Sequence, residues 1–152
     1  MRLTAFTDYS LRVLMYLATR PQEQATISAI ANAFDIKENH LTKVVHFLGK
    51  EGWITTTRGN GGGLRLAREA SDIVVGEVVL STEGAAQPAE CFAVEGGNCR
   101  ISPVCKLAVA LQEAVDAFYL VLDSYTLEEV VSNRDQIVKL LFVREKEQRS
   151  TH

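Results

Sequence analysis

The chain has 152 residues, 47% hydrophobic and 23% charged, enough for one compact core or two small units sharing a long helix, and too apolar for a disordered chain. Its formal net charge of −3 by itself speaks against a nucleic-acid partner, yet residues 1–70 carry 9 Lys and Arg against 6 Asp and Glu, and the remainder 7 against 13. That asymmetry fits a DNA-facing first half followed by an acidic second half.

The opening stretch MRLTAFTDYSLRVLMYLATRP holds Arg2, Asp8 and Arg12 in or beside its apolar part, and no run approaches the roughly 18 apolar residues of a membrane span. A cytoplasmic location is therefore expected. The three cysteines are an odd number lying close together, which argues against a closed disulfide framework and for metal, redox or core use.

In chain order, a helix is predicted over Ala5–Thr19, capped by Thr4, with Leu11, Leu14, Leu17 and Ala18 as its apolar stripe. Pro21 closes it. Thr26 caps a short helix over Ile27–Phe34, a tight turn follows at Asp35-Ile36, and KENHLTKVVHFLGKEG forms a second helix with Leu41, Val44, Val45 and Leu48 apolar, ending at Gly52. Two short helices joined so closely suggest a helix-turn-helix. The segment WITTTRGNGGGLRLA then reads as a β-hairpin, with Gly59, Gly61, Gly62 and Gly63 in its loop as residues that tolerate positive φ and Leu64–Ala67 as the return strand. A hairpin in that place is a wing.

Ile73–Ser81 reads as a short apolar helix, and residues 82–103 as a long loop of the kind that usually carries function. From Val104 to about Ser124, the residues Leu107, Leu111, Ala114, Phe118 and Leu122 mark one stripe of a long helix whose simplest partner is the same helix of a second subunit. Thr126 and Glu129 form a capping box for a last short helix, and the tail from residue 144 is expected to fray. The fold class is thus mainly α: a winged helix-turn-helix domain over 1–80, a loop over 81–103, a dimerisation helix and C-terminal helix over 104–143, and a tail over 144–152.

Two constellations carry chemistry. Asn39, His40 and Lys43 lie in the first turns of the second helix-turn-helix helix, where base edges are read in the major groove; Thr26 and Ser28 begin the helix before it, and Arg58 and Asn60 on the wing reach phosphate or the minor groove. The set Cys91-x7-Cys99-x5-Cys105 supplies three soft thiolates, with Gly96 and Gly97 letting the loop wrap and Pro103 ahead of the long helix. Spacing does not separate iron-sulfur from zinc, or a four-iron from a two-iron cluster. A fourth ligand would come from Glu90 or Glu95 in the loop, or from distant Asp8, which on spacing alone is the i, i+4 ion-pair partner of Arg12. An enzyme reading has little support, for there is no C-x-x-C pair, no Gly-rich nucleotide loop after a strand, and two of the three histidines, His40 and His46, sit on the recognition helix.

The segments LTAFTDYSLRVLMYLA (3–18), NHLTKVVHFLGKEG (39–52), RGNGGGLRLA (58–67) and CKLAVALQEAVDAFYLVLDSYTLEEVV together resemble the iron-sulfur winged-helix regulators of the Rrf2 type, over about Met1–Leu141, and within them the nitric-oxide-sensing branch. The resemblance implies a homodimer that reads a palindromic operator, with Cys91, Cys99 and Cys105 as cluster ligands. It also raises Asp8 to fourth ligand of a 4Fe-4S rather than a 2Fe-2S cluster, donated by the partner subunit in some members, with Arg12 as its neighbour. The cluster-assembly branch uses a histidine three residues after its third cysteine, where this chain has Ala108. The nitric-oxide branch usually has five residues between its first two cysteines, and here there are seven. The expected function is a repressor that releases its operator when the cluster reacts with nitric oxide. The alternatives are an iron- or cluster-status-responsive repressor, a thiol-redox regulator without a cluster, and a zinc-stapled DNA-binding module.

Overall fold

A computed structural model describes residues 2–59, 61–84, 88–92 and 99–149. Helix α1 spans Ala5–Thr19, and the Thr4 side chain accepts the Thr7 N–H at its start, as predicted. Val13, Leu14, Leu17 and Ala18 are buried along it, while Leu11 is only partly covered. Three polar side chains, Thr7, Ser10 and Thr19, are buried as well. Ser10 and Thr19 turn back on their own helix, donating to Phe6 O at 2.8 Å and Tyr16 O at 2.7 Å. Thr7 bonds outside it.

Helix α2 (Ile27–Phe34) is capped by Thr26 and stopped by Asp35, whose φ of 55° turns the chain so that the Ile36 N–H reaches the Ala31 carbonyl. Helix α3 (Glu38–Lys50) follows at once, with Leu41, Val44, Val45 and Leu48 buried against α1 and α2 and its other face in solvent. Strands β1 (Ile54–Thr57) and β2 (Gly63–Leu66) pair antiparallel, from Ile54 opposite Leu66 to Thr57 opposite Gly63.

The return strand thus starts one residue before the expected Leu64, because Gly63 pairs with Thr57 of β1, and β2 also has a second neighbour. Ala25 and Leu64 exchange backbone hydrogen bonds of 3.1 and 2.7 Å. That contact gives Gly63 a purpose the sequence reading did not assign. Gly59 and Gly61 do take positive φ, but Gly63 does not; a Cβ on it would lie 2.9 Å from both the Ala25 carbonyl oxygen and Gln24 Cβ. Gly63 serves close approach.

Helix α4 (Val75–Glu83) begins two residues after the expected Ile73, because residues 73–75 are held in an extended pairing with the chain around Thr126: Val75 donates to Tyr125 O and Leu127 to Ile73 O. Short 3-10 turns occupy Glu90–Phe92 and Ser102–Val104 within the long loop. The second of these displaces the start of helix α5 (Lys106–Asp123) from Val104. Helix α6 (Leu127–Val130) carries the predicted capping box in full, and helix α7 (Arg134–Arg149) continues through residue 144, where fraying was expected.

The core is continuous across these parts. Ile73, Val78, Leu127, Val131 and Phe142 join the buried residues of α1–α3 and the hairpin, so the first half does not close a core alone. Phe142 sits 5.1 Å from the Tyr16 ring, with the Arg20 guanidinium 3.4 Å from its centroid. Helix α5 differs. It packs on α4, yet only Val115 is buried; Leu111, Phe118 and Leu122 are half-buried, and Leu107 and Ala114 of the expected stripe are exposed. Leu107, Val109, Leu120 and Val121 are 57–72% exposed. Among the described residues, no helix is long and apolar enough to cross a membrane.

Candidate DNA interface and cysteine site

The face of α3 opposite the core is polar: Asn39, His40, Lys43, His46 and Lys50 are all exposed. Asn39, His40 and Lys43 form the strip nearest its N-terminus. His40 also touches the fold behind it, its ring lying 6.2 Å from that of Tyr9 in α1 at an interplanar angle of 19°. Thr26 and Ser28 are exposed at the start of α2. The Thr26 oxygen accepts the Ala29 N–H at 3.1 Å, which leaves its hydroxyl proton to donate elsewhere.

Arg58 is exposed directly after β1, and Asn60 lies outside the described residues. The sequence reading missed Arg65. It stands opposite Thr55 in the ladder, both exposed, and its guanidinium donates to the Gln22 carbonyl at 3.4 Å. The alternation in Gly63-Leu64-Arg65-Leu66, which buries Leu64, was the signal that pointed Arg65 outward.

All three cysteines are unpaired; Cys91 and Cys105 are half-buried and Cys99 is exposed. The turn carrying two of them is tied by backbone bonds, with Ser102 N donating to Cys99 O at 3.1 Å and Cys105 N to Ser102 O at 3.4 Å. Among the described residues no three His, Cys, Asp or Glu side chains come together closely enough to hold a metal ion. Glu95, Gly96 and Gly97 lie outside the described residues. The donor chemistry nonetheless fits a thiophilic metal or cluster, with three free soft thiols on one segment and none committed to a disulfide. Asp8 occupies the place that local spacing predicted: its carboxylate pairs with Arg12 at 2.8 Å, the side chains 45% and 41% exposed. Arg12 in turn lies 5.7 Å from the centre of the Phe34 ring.

A polar junction ahead of the loop was not foreseen. Glu83, at the end of α4, accepts hydrogen bonds from the Thr4 N–H, the Thr4 hydroxyl and the Thr7 hydroxyl at the start of α1. Desolvation alone would raise its pKa, but the bonds from Thr7 and Thr4 outweigh it and hold the carboxyl below its usual range. The Tyr119 hydroxyl of α5 donates to the Gly84 carbonyl at 3.4 Å, and burial, then the charge of Glu83, push its pKa up.

Comparison with known proteins agrees with this architecture. The sequence profile of the Rrf2 family, described as an iron-dependent transcriptional regulator, matches residues 3–133. The HTH-type transcriptional regulator NsrR of Bacillus subtilis is 49% identical over 146 residues, covering 95% of this chain and 100% of that protein. The NsrR of Geobacillus kaustophilus is 48% identical over 142 residues, 93% of this chain and 97% of that one. Among solved structures, CymR, the global cysteine regulator of B. subtilis, matches with a TM-score of 0.68 at 26% identity over 88% of this chain and 98% of that one. IscR of T. potens shares the fold, with a TM-score of 0.69 at 24% identity and 88% coverage of both chains.

Proposed function

The chain belongs to the Rrf2 family of transcriptional regulators, whose members are not enzymes, and from that premise we propose a dimeric repressor that holds an iron-sulfur cluster and releases palindromic operator DNA in response to nitric oxide. The observation that carries this reading is the position of three unpaired thiols on the segment between α4, which packs on α1, and α5, whose apolar surface is uncovered.

In this reading Asn39, His40 and Lys43 enter the major groove, Arg58 and Asn60 contact the flanking backbone or minor groove, and Thr26 and Ser28 bind phosphate at the start of α2. Two copies pair through α5. Both recognition helices then dock only if half-sites and helices share a spacing of about 34 Å, so a small change in dimer angle changes affinity steeply. Cys91, Cys99 and Cys105 hold the cluster, and Asp8 completes a four-iron rather than a two-iron set, Arg12 balancing its charge. Bound there, the cluster supplies iron that reacts with nitric oxide. A second reading, a response to iron or cluster status, draws support from the family's description as iron-dependent.

One anaerobic absorbance spectrum with iron and sulfide counts tests the cofactor; a colourless protein that binds operator regardless of oxidants points to zinc or to thiols alone. Titrating the loaded protein with nitric oxide and, separately, with an iron chelator while following operator release separates the two signals. Release by nitric oxide near stoichiometric amounts supports the first reading, and release by the chelator alone replaces it with the second. Cys99→Ala is expected to abolish the cluster; full brown colour in that variant would remove Cys99 from the site.

A further inference from the structure

Glu83 closes α4, where a carboxylate is badly placed for its own helix, because the C-terminal end carries the negative pole of the backbone dipole. Its side chain reaches the opposite pole of another helix. Oε1 accepts from the Thr4 N–H at 2.6 Å, the Thr4 hydroxyl at 3.0 Å and the Thr7 hydroxyl at 2.5 Å, all at the start of α1. Each hydroxyl has one proton, both are donated to Glu83, and the Thr4 oxygen keeps a lone pair for the Thr7 N–H. Thr7 is fully buried, so without the carboxylate its hydroxyl retains, among the described residues, only Thr4 Oγ1, 3.1 Å away, as a side-chain acceptor. The depressed pKa of Glu83 shows the same donors favouring its charged form.

This clamp stands between two functional parts. On one side, Gly84 follows with φ 70° and ψ −168°, a conformation open mainly to glycine, and its carbonyl is held by Tyr119 of α5; Cys91 comes eight residues after Glu83. On the other side, the first turns of α1 bear Asp8 directly after Thr7 and then Tyr9, whose ring stacks on His40 of the recognition helix.

We propose that Glu83 is the positioning residue that passes the state of the cysteine loop to the recognition helix, by clamping Thr4 and Thr7 and through them the turn that carries Tyr9 against His40. The assignment rests on the cluster-dependent regulation proposed above. With the loop held by its cluster, the end of α4 and the start of α1 stay together. With the loop released, Glu83 holds the two threonines less firmly, and the Tyr9–His40 contact loses part of its support.

The test uses the full-length protein, loaded anaerobically and after cluster removal, with a duplex selected by the wild type from a random-sequence pool. Wild type, Glu83→Ala, Glu83→Gln, Thr7→Val and the Glu83→Ala/Thr7→Val double variant are compared for iron and sulfide content, circular dichroism and duplex affinity. Glu83→Ala and Thr7→Val are expected to keep wild-type iron and sulfide while the ratio of loaded to cluster-free affinity falls about tenfold. The double variant falls no further than the larger single effect, since both remove one interaction. Glu83→Gln, which keeps an acceptor oxygen without the charge, lies between wild type and Glu83→Ala. Should Glu83→Ala fail to fold, Thr7→Val, close to isosteric at a buried site, decides alone.

Variants that keep the wild-type ratio overturn the proposal, as does loss of iron from Glu83→Ala, which would tie Glu83 to keeping the cluster and not to passing on its state, or full additivity in the double variant. A wild type whose affinity ignores cluster removal sinks the regulatory reading itself. A responsive wild type with equally responsive variants sinks only the clamp.

Discussion

Single residues here answer to more than one partner, and Asp8 is the clearest case. Its contact with Arg12 at 2.8 Å is an i, i+4 pair with both side chains more than two-fifths exposed, worth about 0.3–0.5 kcal/mol. Asp8→Ala should therefore leave the thermal midpoint of the cluster-free protein almost unchanged, while altering the rate at which the loaded protein loses colour under nitric oxide. Equal decay rates would return Asp8 to a purely structural role. Glu83 makes a pH prediction. Its folded pKa lies below the ordinary value of 4.5, so its bonds stabilise the fold above that value and stop doing so as pH falls through the lower folded pKa. Glu83→Gln should melt below wild type by a constant interval well above pH 4.5, and the interval should narrow as pH falls below 4.5 and close once the lowered folded pKa is passed. Thermal scans of the cluster-free proteins across that range check it. An interval that widens in acid contradicts the clamp's charge.

At the scale of elements, boundaries set by local chemistry came out as read, and boundaries set by distant pairing did not. Thr4, Thr26 and Thr126 each cap the helix expected of them, because a hydroxyl and an orphan N–H three residues on are both in the sequence. The start of α4 moved because Val74 pairs with Thr126; β2 begins at Gly63, opposite Thr57, and beyond the hairpin Leu64 pairs with Ala25. Gly63→Ala tests that last pairing. Its Cβ would press on backbone at 2.9 Å, so the Ala25–Leu64 bridge must shift, at a cost of about 1–3 kcal/mol. A lowered urea midpoint with an unchanged slope is the expected result, and an unchanged midpoint would mean that the wing yields freely.

Across the whole molecule, the C-terminal α6 and α7 return to the winged-helix core through Leu127, Val131 and Phe142, and α5 is left with most of its apolar side chains in solvent. Leu120 is 72% exposed and makes no contribution to that core. Leu120→Glu should thus keep the fold of each chain but convert the proposed dimer to monomer by sedimentation, and weaken operator binding by at least about tenfold, since a single copy reaches only one half-site. A variant that sediments as a dimer would place the interface elsewhere.

What the sequence determined by itself were the features written in short-range pattern: the helix-turn-helix, the wing, the soft-donor cysteines on one segment, and the ion pair of Asp8 with Arg12. Caps, i, i+4 spacing and two-residue alternation act between neighbours in the chain, so they are legible in one dimension. Only the tertiary structure decided that the two halves share one core, that Gly63 is needed for close approach, and that Glu83 belongs to α1 more than to its own helix. Those depend on residues such as Thr7 and Glu83, or Ala25 and Leu64, that are far apart in sequence and carry no mark of one another. The junction at Glu83 was invisible beforehand for that reason: a glutamate closing a helix reads as solvated until the helix it caps is seen beside it.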